Sequence, residues 1–441
     1  MDRSAVTWRA VGAVLLIALL LRLGAAVWIQ ARIDAQPGRF DLIEGDASGY
    51  WELARRLVHG EPYELYTPPR RVLRMPGFPL VIATGMVCLG ERPLAIRCLL
   101  AVIGTLGCGL IYGMTSSLAG PRAALLAAFA AAVSPTFVVF SVLFLSETAF
   151  AVALVASVWS LVTLSRRLVW IAPSEGSTAT REAPLWLVAV LAGLLAGVAT
   201  HMRPTWIVAA PLAAVAAVGL TRGRLPGWIA ATGLIAGLAI LIVPWGLRNE
   251  RVTGHFVPTT LWLGASLYDG LRPEATGGSE MSFIENDGIY SRLSEFDADR
   301  YYRDRAVEFA RTHPGRAIAL AFNKLGRYFS LLPNADQFAN GPARLATGVW
   351  SVCVLGFAAC GFRVAFSHRE LLLATLVPLV FFAAVHALFV GSLRYRLPAE
   401  YPLLALSATG AVALWDRWQF TRRTAPAVPG PANQNPARPP C

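Results

Sequence analysis

"FPLVIATGMVCL", residues 78 to 89, is the stretch on which the topology of this chain turns. It is an apolar run fenced by Pro76, Gly77 and Gly90. At 1.5 Å per residue a helix of that length covers about 18 Å of a hydrocarbon core ~30 Å thick, so it is read as interfacial or re-entrant, not as a span. Around it lie the runs that are long enough: 10–30, 93–117, 122–144, 147–164, 185–202, 205–220, 226–247, 345–362, 370–391 and 398–415, ten spans in all. With 78–89 left uncounted, Arg3, Arg9, Arg122, Arg166, Arg167, Arg222, Arg224, Arg363, Arg369, Arg417, Arg422 and Arg423 fall on one face. The positive-inside rule makes that face cytoplasmic, with both termini on it. Counting 78–89 as a crossing would strand the later arginine-bearing turns outside.

Composition points the same way. Of 441 residues, 55% are hydrophobic and only 15% charged, with a mean hydropathy of +0.52, which places the chain among polytopic, all-α membrane proteins. The net charge of +12 is almost wholly arginine, Lys324 being the only lysine. These basic residues are scattered over short loops, which argues against a nucleic-acid partner. The cysteines lie mainly inside apolar segments and read as small core hydrophobes. No Walker loop, paired-cysteine metal site or Gly-x-Ser-x-Gly elbow is present, so the chemistry is sought on the outer face.

Four regions follow: a membrane region 1–247 carrying a first outer loop (31–92), an outer segment 248–343, C-terminal membrane helices 344–418, and a Pro-rich, disordered cytoplasmic tail 419–441. Within the outer segment "DADRYYRDRAVEFARTHPGRAIALAFNKLGRYF" reads as an amphipathic helix on the membrane surface, broken near His313-Pro314.

Arg74, Arg203, Arg248, Arg394 and Arg396 sit where spans meet the outer face, against the usual charge bias. Two guanidiniums ~6 Å apart repel by about 3 kcal/mol at an effective dielectric of ~20, so a cluster of them calls for anions, and phosphate suits the arginine fork. The plainer alternative is neutralisation by Asp46, Glu147, Glu250 and Glu400, or snorkelling to headgroups. Asp46, just after the first span, heads a helical pattern with Tyr50, Leu53, Ala54 and Leu57 on one face; it can cap that helix, face a surface cavity, or both. Glu44 lies close enough to share such a site. Glu147 opens a span and serves either the helix dipole or a functional site. His201 is a lone histidine without ligand-spaced partners. Tyr50, His201, Asn249, Tyr395 and Glu44 complete the candidate substrate contacts.

An outer-loop Asp before an amphipathic helix, then "RMPGFPLVIATGMVCLGERPLAIRC…LFLSE", "THMRPT", "PWGLRNERVTGHFVPTT" and "LRYRLPAEYPLLALSA", together resemble the bacterial GT-C glycosyltransferases. The likeness is to the protein O-mannosyltransferase-like group that also holds lipid A aminoarabinose transferases, and it covers most of residues 10 to 415. It implies a transferase of a bacterial inner membrane, opening outward, which takes a sugar from a polyprenyl-phosphate carrier and inverts its anomeric centre. Asp46 matches the family's first-loop acid, the base or acceptor-orienting group, sometimes acting through a metal. Glu147 matches the second-loop acid. Arg74 falls where relatives carry a basic residue ahead of a proline pair. Here "RMPG" replaces that pair and a single Asp stands where relatives have Asp-Glu, so metal use stays open between none and a divalent ion such as Mg2+ or Mn2+ at Asp46. The acceptor, whether lipid, glycan or protein, is not specified. Two rivals remain: a transporter or flippase of a lipid-linked glycan, and an envelope polysaccharide ligase or polymerase with a diphosphate-linked donor.

Overall fold

The computed structural model describes residues 8–43, 45–171, 183–334 and 341–424. Glu44 and the tail beyond 424 lie outside the described residues. Helix α1 (Trp8–Asp34) delivers the chain to one end of the bundle, where α2 (Asp46–His59) and α3 (Gly77–Leu89) follow. Helix α2 buries Ala47, Tyr50, Leu53 and Ala54 on one face and closes at Gly60, whose φ of 69° suits a left-handed C-cap. Helix α3 is the short run on which topology depended. It begins with Gly77 packed against the backbone of His201, and just beyond its end Glu91 meets His59 at 2.5 Å. Both flanks are therefore held by residues at the same end of the bundle, and α3 lies across that end instead of passing through it.

Helix α4 (Pro93–Ala119) then runs the length of the bundle, and α5 (Pro121–Val133) and α6 (Pro135–Phe140) return beside it. The expected span 122–144 is thus two helices with a break. Pro135 has no N–H to give the carbonyl of Ala131, four residues back. Arg22, fully buried in the middle of α1, supplies the missing donors, 2.9 Å to the Ala131 carbonyl and 3.2 Å to that of Ala132. The chain past α6 ends level with the first turn of α4, where Arg97 donates to the Val142 carbonyl at 2.7 Å.

Helices α7 (Glu147–Ile171) and α8 (Leu185–Met202) go out and back. A 3-10 turn (Pro204–Val208) leads into α9 (Ala209–Leu220), and α10 (Leu225–Thr253) returns. Helices α8 and α10 approach to backbone contact, since a Cβ on Gly193 would stand 2.2 Å from the Leu234 carbonyl.

Next comes a run of shorter helices, α11 (Leu263–Gly270), α12 (Phe283–Asp287), α13 (Ile289–Arg292), α14 (Glu295–Thr312) and α15 (Pro314–Tyr328). Ser294 caps α14 by accepting from the Asp297 N–H at 3.1 Å, and the break at His313-Pro314 falls where the proline demanded it. Three helices, α16 (Pro342–Val364), α17 (Arg369–Leu388) and α18 (Leu393–Thr424), complete the fold. The last is longer than expected: residues 419–424, assigned to the tail from sequence, continue α18.

Among the described residues eight helices are long and apolar enough to cross a membrane: α1, α4, α7, α8, α10, α16, α17 and α18. Two shorter apolar stretches, α5 with α6 and the 3-10 turn with α9, lie where two further spans were expected, so eight uninterrupted rods stand against the ten spans read from the sequence. The largest apolar core gathers α4, α5, α7, α17 and α18 around Phe137, Phe150, Phe382 and Tyr401.

Candidate active site

Four elements end together at one end of the bundle, and each brings a charge. Asp46 opens α2, Glu147 opens α7, Arg203 follows α8 and Arg394 lies in the first turn of α18. Arg74 comes from the extended stretch before α3. Asp46 does not cap its helix: the cap position is Gly45, with no side-chain hydrogen bond, and the Asp46 carboxylate turns to the arginines. Arg74 Nη2 donates to Asp46 Oδ1 at 2.5 Å, and Arg394 Nη2 donates to Oδ2 at 3.0 Å. The Nε of the same Arg394 donates to Glu147 Oε1, which also accepts from Arg203 Nη2 at 2.6 Å. The result is an alternating row, Arg74–Asp46–Arg394–Glu147–Arg203, with three positive groups to two negative.

The two acids differ in access. Glu147 is 1% exposed, and its second carboxylate oxygen has no hydrogen-bond partner. The Asp46 side chain is 32% exposed. Burial alone would raise the Asp46 carboxyl, but the guanidiniums of Arg74 and Arg394 outweigh it and hold the group well below the usual carboxylate range.

Glu147 is held by what precedes it. The segment 141–146 is buried but not helical, and Asp41 anchors it by accepting from the Phe144 N–H at 3.0 Å and from Arg97 Nη1 at 3.4 Å. Arg394 is held from the other side. The turn ahead of it is gripped by α15: Lys324 Nζ donates to the Leu388 carbonyl at 2.7 Å and Arg327 Nε to the Gly391 carbonyl at 3.0 Å. Beside the row, Arg203 lies over the Phe150 ring, which meets Phe382, which stacks on Trp206. Trp206 and Phe381 line an apolar groove of 530 Å3 between α7, α9 and α17 that runs toward Arg369.

The remaining sequence candidates divide. Tyr50 lies under Arg74, its ring 5.5 Å from the guanidinium, and Tyr395 lies beside the row with Arg203 at 5.7 Å and His386 stacked on it at 4.4 Å. Arg396, two residues on from Arg394 and so about half a turn round the helix, points elsewhere. It is fully buried and donates to Glu400 at 2.5 Å, the Tyr328 and Ser330 carbonyls and Ser351. With four of its five N–H groups so occupied and the side chain fully buried, it braces α18 against α15 and α16 and is not placed to hold a phosphate. Asn249 is likewise spent on the Val257 and Thr259 carbonyls. Arg248 joins the Tyr63 and Arg71 carbonyls, one layer outward from Arg74. His201 bonds the Leu241 carbonyl, and among the described residues no three His, Cys, Asp or Glu side chains converge as metal ligands. Both Asp46 oxygens face guanidiniums in a row of positive surplus, an arrangement that does not suit a divalent cation. Sequence reading missed Arg22, Asp41 with Arg97, and the Lys324 clasp. A charge within an apolar run, as at Arg22, was the available signal.

This body is a membrane-type helical fold with a charged site where several helix ends meet. Residues 73–246, which include Arg74, Glu147 and Arg203, match the family described as dolichyl-phosphate-mannose-protein mannosyltransferase. The oligosaccharyltransferase of Archaeoglobus fulgidus in its apo form is similar over 93% of this chain and 51% of its own, with a TM-score of 0.56 at 17% identity. The same archaeal enzyme, AglB, in complex with an inhibitory peptide and a dolichol-phosphate, gives 0.53 at 14% identity over 96% and 52%. ArnT of Cupriavidus metallidurans bound to undecaprenyl phosphate aligns over 95% and 81% at 16% identity, with a TM-score of 0.42. The chain thus spans about half the length of the archaeal structures it matches. No curated protein matches the sequence.

Proposed function

We propose that the chain is a membrane glycosyltransferase that moves a sugar from a polyprenyl-phosphate carrier to an extracytoplasmic acceptor, with inversion, at the outer face of a bacterial inner membrane. The observation that carries this reading is the row Arg74–Asp46–Arg394–Glu147–Arg203 beside an apolar groove. An isoprenoid tail suits the groove, and the rings of Trp206, Phe382 and Phe150 lead from it to Arg203 of the row, where the phosphate would meet the guanidiniums. The family match over 73–246 and the dolichol-phosphate held by the archaeal enzyme support a carrier-linked donor.

As the bond between sugar and phosphate breaks, negative charge grows on the departing phosphate, and fixed guanidiniums stabilise that state more than the ground state. Arg203 and Arg394, anchored by Glu147, are the fixed pair. Arg74 is shared between donor and Asp46. In the resting row Asp46 is too acidic to be a good base; when the donor phosphate draws Arg74 toward itself, the carboxylate regains basicity and accepts the acceptor's proton. Donor binding would in this way arm the base.

Purified protein given a labelled polyprenyl-phosphate sugar tests this. Asp46→Asn should lower transfer at least about a hundredfold with carrier binding retained, and a fully active variant would remove Asp46 from the chemistry. Product formed in detergent, with no sealed membrane, also separates transfer from transport, since transport leaves no product there.

A further inference from the structure

On the outward side of Arg74 the charge row gives way to aromatic rings. Trp262 lies between two guanidiniums, Arg74 at 5.9 Å and Arg70 at 5.7 Å from its ring. Arg70 in turn lies 3.8 Å from the Tyr290 ring and 4.9 Å from that of Tyr66. It is half-buried, yet among the described residues no carboxylate pairs with it and its Nε has no partner. The nearby acids are otherwise engaged. Glu295 accepts from the N–H groups of Arg71 at 2.7 Å and Val72 at 3.0 Å, Glu64 pairs with Arg71, and Asp299 accepts from the Gly264 N–H. A guanidinium sandwiched by rings is held in orientation while its in-plane N–H edge stays free for an anion.

A second observation concerns Tyr66. Its φ is +66°, a left-handed conformation that costs a bulky residue energy and is kept only where surroundings enforce it. The short Leu65–Arg70 bridge enforces it here, and the outcome is a tyrosine ring 60% exposed over Arg70. An exposed ring on a strained residue beside an unpaired cation has the makings of a binding surface and adds little to a core.

We propose that Tyr66, Arg70 and Trp262 form the acceptor subsite, with the buried Tyr290 ring backing Arg70, and that its ligand is an anionic saccharide, a sugar ring laid on the Tyr66 and Trp262 faces with its carboxylate or phosphate on Arg70. The word acceptor rests on the transferase reading above; the binding chemistry does not. The first outer loop supplies Tyr66 and Arg70, the outer segment supplies Trp262 and Tyr290, and the surface they share leads by way of Arg74 to Asp46. A bound acceptor would therefore present its nucleophile toward the one acid of the row that is partly exposed.

Titration calorimetry on the full chain in detergent tests the subsite, with a glucuronate-terminated disaccharide, a sugar phosphate, their neutral counterparts and inorganic phosphate as probes. The acidic saccharides should bind at least about tenfold more tightly than the neutral ones, and more tightly than inorganic phosphate, with the advantage shrinking as salt rises. Arg70→Gln should remove the preference for charge, and Trp262→Ala should weaken all saccharides alike. Arg70→Lys should recover part of the preference, which a merely structural Arg70 would not show. Equal binding of acidic and neutral disaccharides by the unaltered protein overturns the proposal without depending on how any variant folds. Donor consumption measured on the same preparation separates the two readings: binding without donor turnover sinks the transferase, turnover without charge preference sinks the subsite.

Discussion

Glu147 and Asp46 carry the same charge and meet the same Arg394, yet they answer to substitution differently because one is sealed and the other open. Removing the sealed Glu147 leaves Arg203 and Arg394 facing each other with no counter-charge between them; Glu147→Ala should cost about 3 kcal/mol, as broken buried pairs do. Asp46→Asn, a third exposed and still able to accept a hydrogen bond, should stay within about 1 kcal/mol. Thermal melts of the two variants side by side check the contrast, and equal losses would mean that the acids share one environment. The arginines divide in the same manner. Arg394→Gln should raise the KM for donor and lower kcat with the fold kept, whereas Arg396→Gln should lower the melting temperature, because it strips Glu400 and two backbone carbonyls of their partner. A normal melt with weakened donor binding in Arg396→Gln would return that residue to the site.

Among the elements, those whose apolar run was unbroken were readable from hydropathy alone: α4 and α8 fall within about two residues of their expected limits, while α7 and α10 start as expected and run on past them to Ile171 and Thr253. The run 122–144 misled because hydropathy averages over Ser134-Pro135, while the backbone cannot. What makes the break tolerable is a side chain 110 residues away in sequence, and no local pattern reports such a partner. Arg22→Met should therefore destabilise the α5–α6 pair specifically, seen as faster amide exchange in 131–137 with little change in α17. The α15 clasp makes a separate prediction. Burial pushes the Lys324 ammonium down to about 8, with Asp269 opposing. Between pH 8 and the ordinary value of 10.5 the unfolded chain binds a proton here that the folded chain lacks, so stability contributed at this residue rises with pH across that window. Melting temperature measured over the window should show that rise in the native sequence and lose it in Lys324→Met.

At the scale of the molecule, charge at span boundaries was enough to gather Asp46, Arg74, Glu147, Arg203 and Arg394 as candidates, because an ionisable group at an apolar edge has few places to go. It could not say which arginine faces which acid. Arg394 and Arg396 are indistinguishable in "RYR", and only the packing of α18 against α15 and α16 turns one toward Asp46 and the other toward Glu400. The aromatic lip was illegible for a different reason: Tyr66 and Arg70 meet Trp262 and Tyr290 across more than 190 residues of intervening chain. The topology itself is open to a direct check. Single cysteines placed at Ser48 and at Ser392 should both react with a membrane-impermeant maleimide from the outer side of intact cells, and one at Thr221 should not; opposite labelling of the first two would break the site apart.

The surplus of one positive charge in the row has a kinetic corollary. A sugar-bearing carrier is a phosphodiester with one negative charge, which the row neutralises, whereas the carrier left behind is a monoester approaching two. The protein would grip spent prenyl phosphate harder than fresh substrate, so departure of the carrier, and not glycosidic bond cleavage, would set the pace of each cycle.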